Sequence, residues 1–580
     1  MKRKRWMMSL AGTVACLVAA SWAWGDAPDL KYFYPAGLRA GSTTTIECTG
    51  DFEWPVRVDA IGAEVEVTEE KGKLAVHVPH GSFASRVWLR MYNDDGASPL
   101  VPLLVGNLPE AFEVEPNDST NAAQKLSAVA PPPGDTELLL NGRLQERDDV
   151  DCFLVQLEAG QLLVAHVDAN QSFGSPMDAI LQIAKPDGTV LAENHDRMGL
   201  DPRIAFTAPW TGQFVVRLFA FPANPNQQIR FHGGDDYVYR LTLTSGPFVT
   251  HAIPMCVPKA EATENAERTV EVFGWNVPPG TRLPVHRLEE QAADLGIVRA
   301  PRWSGEVLIQ QVASNFAVVK DGPPTDRVLP IPNSVSGCLH HPGDLRQFRF
   351  GMEAGQAISI QVDALKFGSE MVPAVRLVDA NGAVVAETPE NGASGDTALS
   401  YTAKAAGEYQ LLLRDRFGHG GPQHFYCLKV FEPAADYELS LESDRFVLDA
   451  GKSLEIPVKV TRRKGSGGPI EKISITAVDL PTGISSDAVD SLPEGDTAGS
   501  VSLKLQSTRT EGFSGAIRIV GSTENAAGAS LARTAGTPAR FGRTFRHAWL
   551  TAKSATESSG TNDDEQAEST ASDVSSNSTP

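Results

Sequence analysis

The fold class that this 580-residue chain predicts is all-β, a multi-domain array of β-sandwiches. Three observations predict it. Short runs alternate apolar and polar side chains, as in QLLVAHVD from Gln161 to Asp168, the two-residue period of a strand with one buried face. Turn signals are dense, with 39 prolines, 51 glycines, and the dipeptides Asp187-Gly188 and Asn381-Gly382 between apolar runs. Finally, one long stretch of this pattern occurs twice.

The repeat aligns NGRLQERDDVDCFLVQLEAGQ, from Asn141, with SGCLHHPGDLRQFRFGMEAGQ, from Ser336. Gly142 matches Gly337, Asp149 matches Asp344, Phe153 matches Phe348, and Glu158 to Gln161 recurs as Glu353 to Gln356. After one deletion, Gly174-Ser175 matches Gly368-Ser369. A spacing of about 195 residues marks a duplicated module, since solenoid repeats are far shorter. Both copies read as jelly-roll sandwiches, over 110–246 and 331–433. Strand-rich segments of another kind surround them, and 28–107, 247–330 and 435–552 have the size and turn spacing of Ig-like sandwiches without the Cys-Trp-Cys hallmark.

The ends of the chain differ in kind. Residues 1–25 combine a basic Lys2–Arg5 stretch, an apolar run from Trp6 to Ala20, and a small-x-small site at Ala23-Trp24-Gly25, which together predict a cleaved signal peptide and an exported protein, periplasmic, cell-surface or secreted. The rival reading is a lipoprotein site at Thr13-Val14-Ala15-Cys16, without the usual Leu. Residues 553–580 are Ser/Thr-rich and acidic with almost no large apolar residue, the composition of a disordered tail. No later segment is apolar enough to span a membrane. A formal charge of −21 argues against nucleic acid and anionic membrane surfaces as partners.

Cleavage after Gly25 leaves Cys48, Cys152, Cys256, Cys338 and Cys427, an odd number, so at least one thiol is free or pairs between chains. Cys338 and Cys427 bracket one module and are the expected pair in an oxidising compartment.

The densest chemistry lies at Glu113-Val114-Glu115-Pro116-Asn117-Asp118. Pro116 biases Glu115 to an extended conformation, which lines Glu113, Glu115 and Asn117 along one face. Crowded carboxylates repel one another unless a cation lies between them. An irregular set of oxygens suits calcium better than zinc. Asp148-Asp149-Val150-Asp151 supplies further oxygen at the start of the next strand. The alternative is that Asp118 or Ser119 caps a short helix over STNAAQKL while the glutamates are merely solvated.

EVEPNDSTNAAQKL, GRLQERDDVDCFLVQLEAGQ, GSPMDAILQI, PWTGQFVVRL and GGDDYVYRLTLTSG together resemble the bacterial pre-peptidase C-terminal domain, a secreted jelly-roll sandwich related to the collagen-binding domains of secreted collagenases. The resemblance covers Glu110 to Gly246 well and Ser336 to Glu432 less well. It implies calcium ligation by Glu113, Glu115, Asn117, Asp118, Asp148 and Asp151. It also implies a module that accompanies peptidases without cleaving anything, and whose face binds extended protein ligands through aromatics. Near the corresponding strands stand Phe214, Phe219, Phe221, Tyr237 and Tyr239, which as strand aromatics fit a core better than a platform.

No HExxH, GxSxG or subtilase-like run occurs, and the sandwich segments account for the mature chain, so the sequence predicts no enzyme. The leading reading is a non-catalytic binding or adhesion-type protein with an extracellular or envelope protein or polysaccharide as ligand. A secreted peptidase or its accessory chain, and a structural surface spacer, are the alternatives. In the second copy Gly343 replaces Asp148, Arg346 replaces Asp151, and VLPIPNSVSG carries no carboxylate upstream, so only the first copy is expected to bind calcium.

Overall fold

A computed structural model describes residues 26–126, 136–224, 230–259, 268–287, 295–322, 328–389, 395–465, 470–524 and 530–554. The expected signal peptide, with Cys16, and all but the first two residues of the expected tail lie outside them. The regular structure of the described residues is almost wholly strand, broken by one four-residue helix at Asn170–Phe173 and one 3-10 turn at Leu365–Phe367. No helix among them is long and apolar enough to cross a membrane.

The two sheets of the first sandwich run in the orders Asp29–Tyr34, Thr43–Asp51, Lys73–His77, Glu64–Val67 and Gly37–Arg39, Val101–Gly106, Arg86–Tyr92, Arg57–Ile61. Leu30, Ile46, Leu74, Val87 and Leu103 fill the space between them. The first jelly-roll copy follows. One of its five-stranded sheets is Gln124–Lys125, Asp151–Leu157, Gly212–Pro222, Met177–Ala184, Val190–Asn194. The other is Arg203–Thr207, Leu162–Asp168, Val238–Thr244, Glu137–Arg143, Glu110–Phe112. Alternation sends Leu163, Ala165 and Val167 of one strand inward to meet Phe153, Val155 and Leu157 of the facing sheet. Each of the larger side chains, the Leu, Val and Phe residues, contributes roughly 1.5–3 kcal/mol by leaving water. Phe214, Tyr237 and Tyr239 belong to this core, and Phe219 is buried as well.

The second copy repeats the plan. Asn333–Cys338 pairs antiparallel with Phe425–Phe431, as Glu137–Arg143 pairs with Val238–Thr244. The short turns Asn170–Phe173 and Leu365–Phe367 both stop at a glycine in the left-handed region, Gly174 at φ 85° and Gly368 at φ 80°, where a side chain would be strained. Asp187-Gly188 and Asn381-Gly382 connect the hairpins Met177–Ala184 to Val190–Asn194 and Pro373–Val378 to Val384–Glu387.

Two expectations change. The strand Ala317–Lys320, placed by the sequence in 247–330, pairs in parallel with Asn333–Ser336 and so completes the second jelly roll, as Glu110–Phe112 completes the first. The Cys338–Cys427 pairing does not form. Ser336 stands opposite Cys427, while Cys338 is two rungs further along, opposite Phe425. The sulfur of Cys427 instead meets that of Cys256, at 2.6 Å, in an interior shared with Met255 and Phe425. Strand adjacency was legible from the spacing; the register that excludes the pair was not.

The sandwiches pack on one another as well as within themselves. Arg240, 2% exposed, pairs with Glu110 and donates to the carbonyls of Leu104 and Leu38, tying the first jelly roll to the first sandwich. The last sandwich returns to the first: Trp88 meets Phe545 edge to face, and the buried guanidinium of Arg90 lies 3.6 Å from both Asp59 and Asp444.

Candidate metal centre

Glu113 leaves the edge strand Glu110–Phe112 and donates its main-chain N–H to Asn141 O, which brings its carboxylate over Gly142. Gly142 stands opposite Tyr239 in the ladder, and a Cβ there would overlap both the Tyr239 hydroxyl and the Glu113 carboxylate. Glycine is required for that close approach. The Glu113 carboxylate accepts from Arg143 N at 2.6 Å and from Gln145 Nε2 at 3.2 Å. The Tyr239 hydroxyl lies 3.1 Å from Glu113 Oε2 and 2.6 Å from Asp151 Oδ2, so two carboxylates share a donor with one proton.

Glu115, Asp149 and Asp151 each bring one carboxylate oxygen to within 4.8 Å of the others. Asp149 and Asp151 are buried, and Glu115 is exposed, which leaves one side of the triangle open to solvent. Asp149 Oδ1 and Asp151 Oδ1 are buried without a hydrogen bond. Burial pushes the Asp149 carboxyl up to about 6, with Glu115 and Asp118 adding to the rise against the Gln145 N–H. Burial, then the charge of Glu113, drive Asp151 well above the usual carboxylate range, and burial raises Glu113 too. These groups resist ionising together unless a cation compensates them.

Of the six residues expected at this site, the structure brings Glu115 and Asp151 into the triangle and sets Glu113 beside it through Tyr239. Asn117 is buried, but its Oδ1 accepts from Cys152 N at 3.1 Å, and its own N–H donates to Glu115 Oε2 at 2.7 Å, so it fastens the acidic segment to the strand Asp151–Leu157. Asp118 and Asp148 are exposed, and Asp148 has a left-handed backbone at φ 67°. The residue missed is Asp149. It is two positions from Asp151, so both side chains fall on one face, whereas Asp148 is three away. The signal was in the repeat, where Asp149 aligns with Asp344, and each accepts a loop N–H, from Gln145 and His341 respectively. No helix follows Asp118, so the capping alternative has no helix to cap.

The second copy holds a different solution at the same place. Gly337 again stands opposite a tyrosine, Tyr426, and a Cβ on it would overlap the carboxylate of Asp321. Asp321 thus occupies the place of Glu113, which corrects the expectation that no carboxylate lies upstream. Arg346, at the position of Asp151, donates from Nε to Asp321 Oδ2 at 2.7 Å and reaches Asp344 at 3.6 Å. Tyr426 donates to the same Asp321 oxygen at 2.8 Å. Burial lowers the Arg346 guanidinium, but Asp321 beside it outweighs that and holds it above its ordinary range. A guanidinium therefore fills the charge gap that the first copy leaves open.

No family model and no curated protein matches the chain. Among solved structures, 20% of the chain is similar to 94% of the pre-peptidase C-terminal domain of a collagenase from Bacillus anthracis, with 16% identity and a TM-score of 0.15. The insect immune protein hemolin is similar over 88% of this chain and 99% of its own, with 12% identity and a TM-score of 0.19. The N-terminal eight Ig domains of Down syndrome cell adhesion molecule are similar over 89% of this chain and 88% of theirs, with 10% identity and a TM-score of 0.13.

Proposed function

We propose that the chain is an exported, non-catalytic binding protein built of β-sandwich modules, with a structural calcium ion in its first jelly-roll module. The observation that carries the calcium is the exchange between the copies: where the second has Arg346 between Asp321 and Asp344, the first has Asp151 beside Glu113 and Asp149. A fold that keeps the surrounding carboxylates but gives up the built-in cation has use for an external one. The donors are all oxygen, which suits a hard ion. Three oxygens within 4.8 Å of one another leave a centre no more than about 2.8 Å from each, close to the 2.3–2.6 Å of a calcium–oxygen bond. Glu115, Asp149 and Asp151 would hold the ion, with water or main-chain carbonyls completing the shell. Bound there, it pins the segment that enters from the first sandwich onto the strand Asp151–Leu157.

For the module array itself, the fitting ligand is an extracellular or envelope protein or polysaccharide. A chain with a charge of −21 repels nucleic acid and anionic lipid. Export rests on the N-terminal sequence and is checked by sequencing the mature N-terminus, expected at Asp26. Calorimetric titration of the mature chain tests the ion: saturable calcium binding lost in Asp151→Asn is expected, and no saturable heat sinks the reading. Casein hydrolysis that survives purification and vanishes with a peptidase inhibitor would overturn the non-catalytic assignment.

A further inference from the structure

Four of the sandwiches meet around a partly open cavity of about 260 Å³, lined by none of the residues of the acidic triangle. The first sandwich contributes Arg86, the first jelly roll Arg203 and Arg240, and the segment after it Arg299. In a chain carrying −21, four arginines converge on one hollow. Arg240 is neutralised by Glu110. The other three have no carboxylate within 4 Å among the described residues, although Glu306 faces Arg86 and Arg299, and Asp168 faces Arg86 and Arg203. Arg299, 8% exposed, donates only to the carbonyls of Ala84 and Val105, each at 2.7 Å. Arg86 donates to Phe541 O at 2.8 Å. Arg203 packs its guanidinium over the Phe248 ring, 4.7 Å from the centroid, touches the His166 ring nitrogen at 3.4 Å, and leaves a buried Nε without a partner.

The carboxylates of the cavity balance these charges only in part. Glu306 meets Arg543 at 3.4 Å and shares its one charge with Arg86 and Arg299. Asp168 accepts from Ser172 Oγ at 2.6 Å, lies 3.5 Å from His166, and also faces Arg86 and Arg203. Burial pushes Asp201 up to about 7, so near neutrality it carries only part of a charge. Arg299 is buried and Arg86 and Arg203 are half-buried, so the excess positive charge favours an anion, for which the site has room. The rest of the wall is mixed, with Leu104, Leu139, Phe248 and Trp303 as its apolar part and Asn107, Gln171 and Thr242 among its polar side chains.

We propose that this cavity is a binding site for a small organic carboxylate, its anionic end taken by Arg86, Arg203 and Arg299 and its apolar body by Phe248 and Trp303. The volume of about 260 Å³ falls just under the range of about 300–1,000 Å³ for drug-sized ligands, which restricts the occupant to a compact molecule. The site is independent of the calcium reading, because none of its residues belongs to the acidic triangle.

The test titrates the full mature chain with benzoate, hexanoate, inorganic phosphate and benzyl alcohol, following heat and the tryptophan fluorescence to which Trp303 contributes. Benzoate or hexanoate is expected to saturate with a Kd below about 1 mM, and benzyl alcohol, lacking the charge, to bind at least about tenfold more weakly. Arg203→Gln should weaken the carboxylate at least about tenfold, with Arg203→Lys recovering part of it. Absence of saturable binding by both carboxylates overturns the proposal, as does equal affinity for benzyl alcohol or phosphate binding without benzoate binding. Circular dichroism checks that the variants fold. If Arg203→Gln does not, the comparison of benzoate with benzyl alcohol on the natural chain decides.

Discussion

Removing calcium should loosen the first jelly-roll module and leave the second unmoved. The perturbation is a chelator added to the mature chain at pH 7.5. Its magnitude follows from the buried carboxylates of the first copy. Raising Asp149 from 3.8 to about 6 corresponds to a cost on the order of 3 kcal/mol for ionising that group in the folded state. Asp151 and Glu113 are raised in the same direction. An ion at about a hundred times its Kd returns about 2.7 kcal/mol by mass action, or roughly 5–10 °C in the melting transition of a module this size. Scanning calorimetry reads the transition, and hydrogen exchange assigns it. Peptides over 137–157 should exchange faster in chelator, and peptides over 333–352 should not change, because Arg346 is covalently present. The reasoning is refuted if both regions respond alike, if neither responds, or if Asp151→Asn keeps the full calcium response.

Four further outcomes follow from the same geometry. A carboxyl raised in the fold stabilises the folded state at low pH and loses that contribution as pH rises from 3.8 through about 6, so the calcium-free module should be more stable at pH 5 than at pH 7.5 on this account, and the calcium effect should grow across that window; melts at both pH values check the sign. Arg346→Ala strands Asp321 and the Tyr426 hydroxyl together and should cost about 2 kcal/mol, below the usual 3–5 for a buried pair because the guanidinium is a quarter exposed; denaturant melts measure it. Asp151→Arg, which copies the second module into the first, should abolish the calcium response without unfolding the chain, as calorimetry would show. Burial pushes the Cys48 thiol up to about 12 and those of Cys152 and Cys338 up to about 11, so iodoacetamide at neutral pH should label these three only after unfolding, which mass spectrometry reads directly.

Much of this protein was determined by local sequence. Strand alternation such as that of Gln161 to Asp168 is a property of neighbours along the chain, and so are the Asp-Gly and Asn-Gly hairpins and the acidic segment Glu113 to Asp118. The duplication was visible because both copies must fill the same core, at Phe153 and Phe348 among others. Glu115 and Asp151 were legible for the same reason, each standing in a local run of oxygen donors.

What only the tertiary structure decided are relations between strands. Asp149 replaces Asp148 at the triangle because a left-handed Asp148 turns outward and the two-residue period then carries Asp149 and Asp151 inward together. Asp321 reaches Arg346 because the strand Ala317–Lys320 pairs in parallel with Asn333–Ser336, a pairing no motif announces. Cys427 meets Cys256 because the ladder register sets Cys338 two rungs away. The arginine-lined cavity has no signature at all, since Arg86, Arg203 and Arg299 come from three sandwiches and meet only when those pack. Composition and period report which face of a strand is buried, whereas register and packing, which depend on every strand at once, decide which charges share that interior.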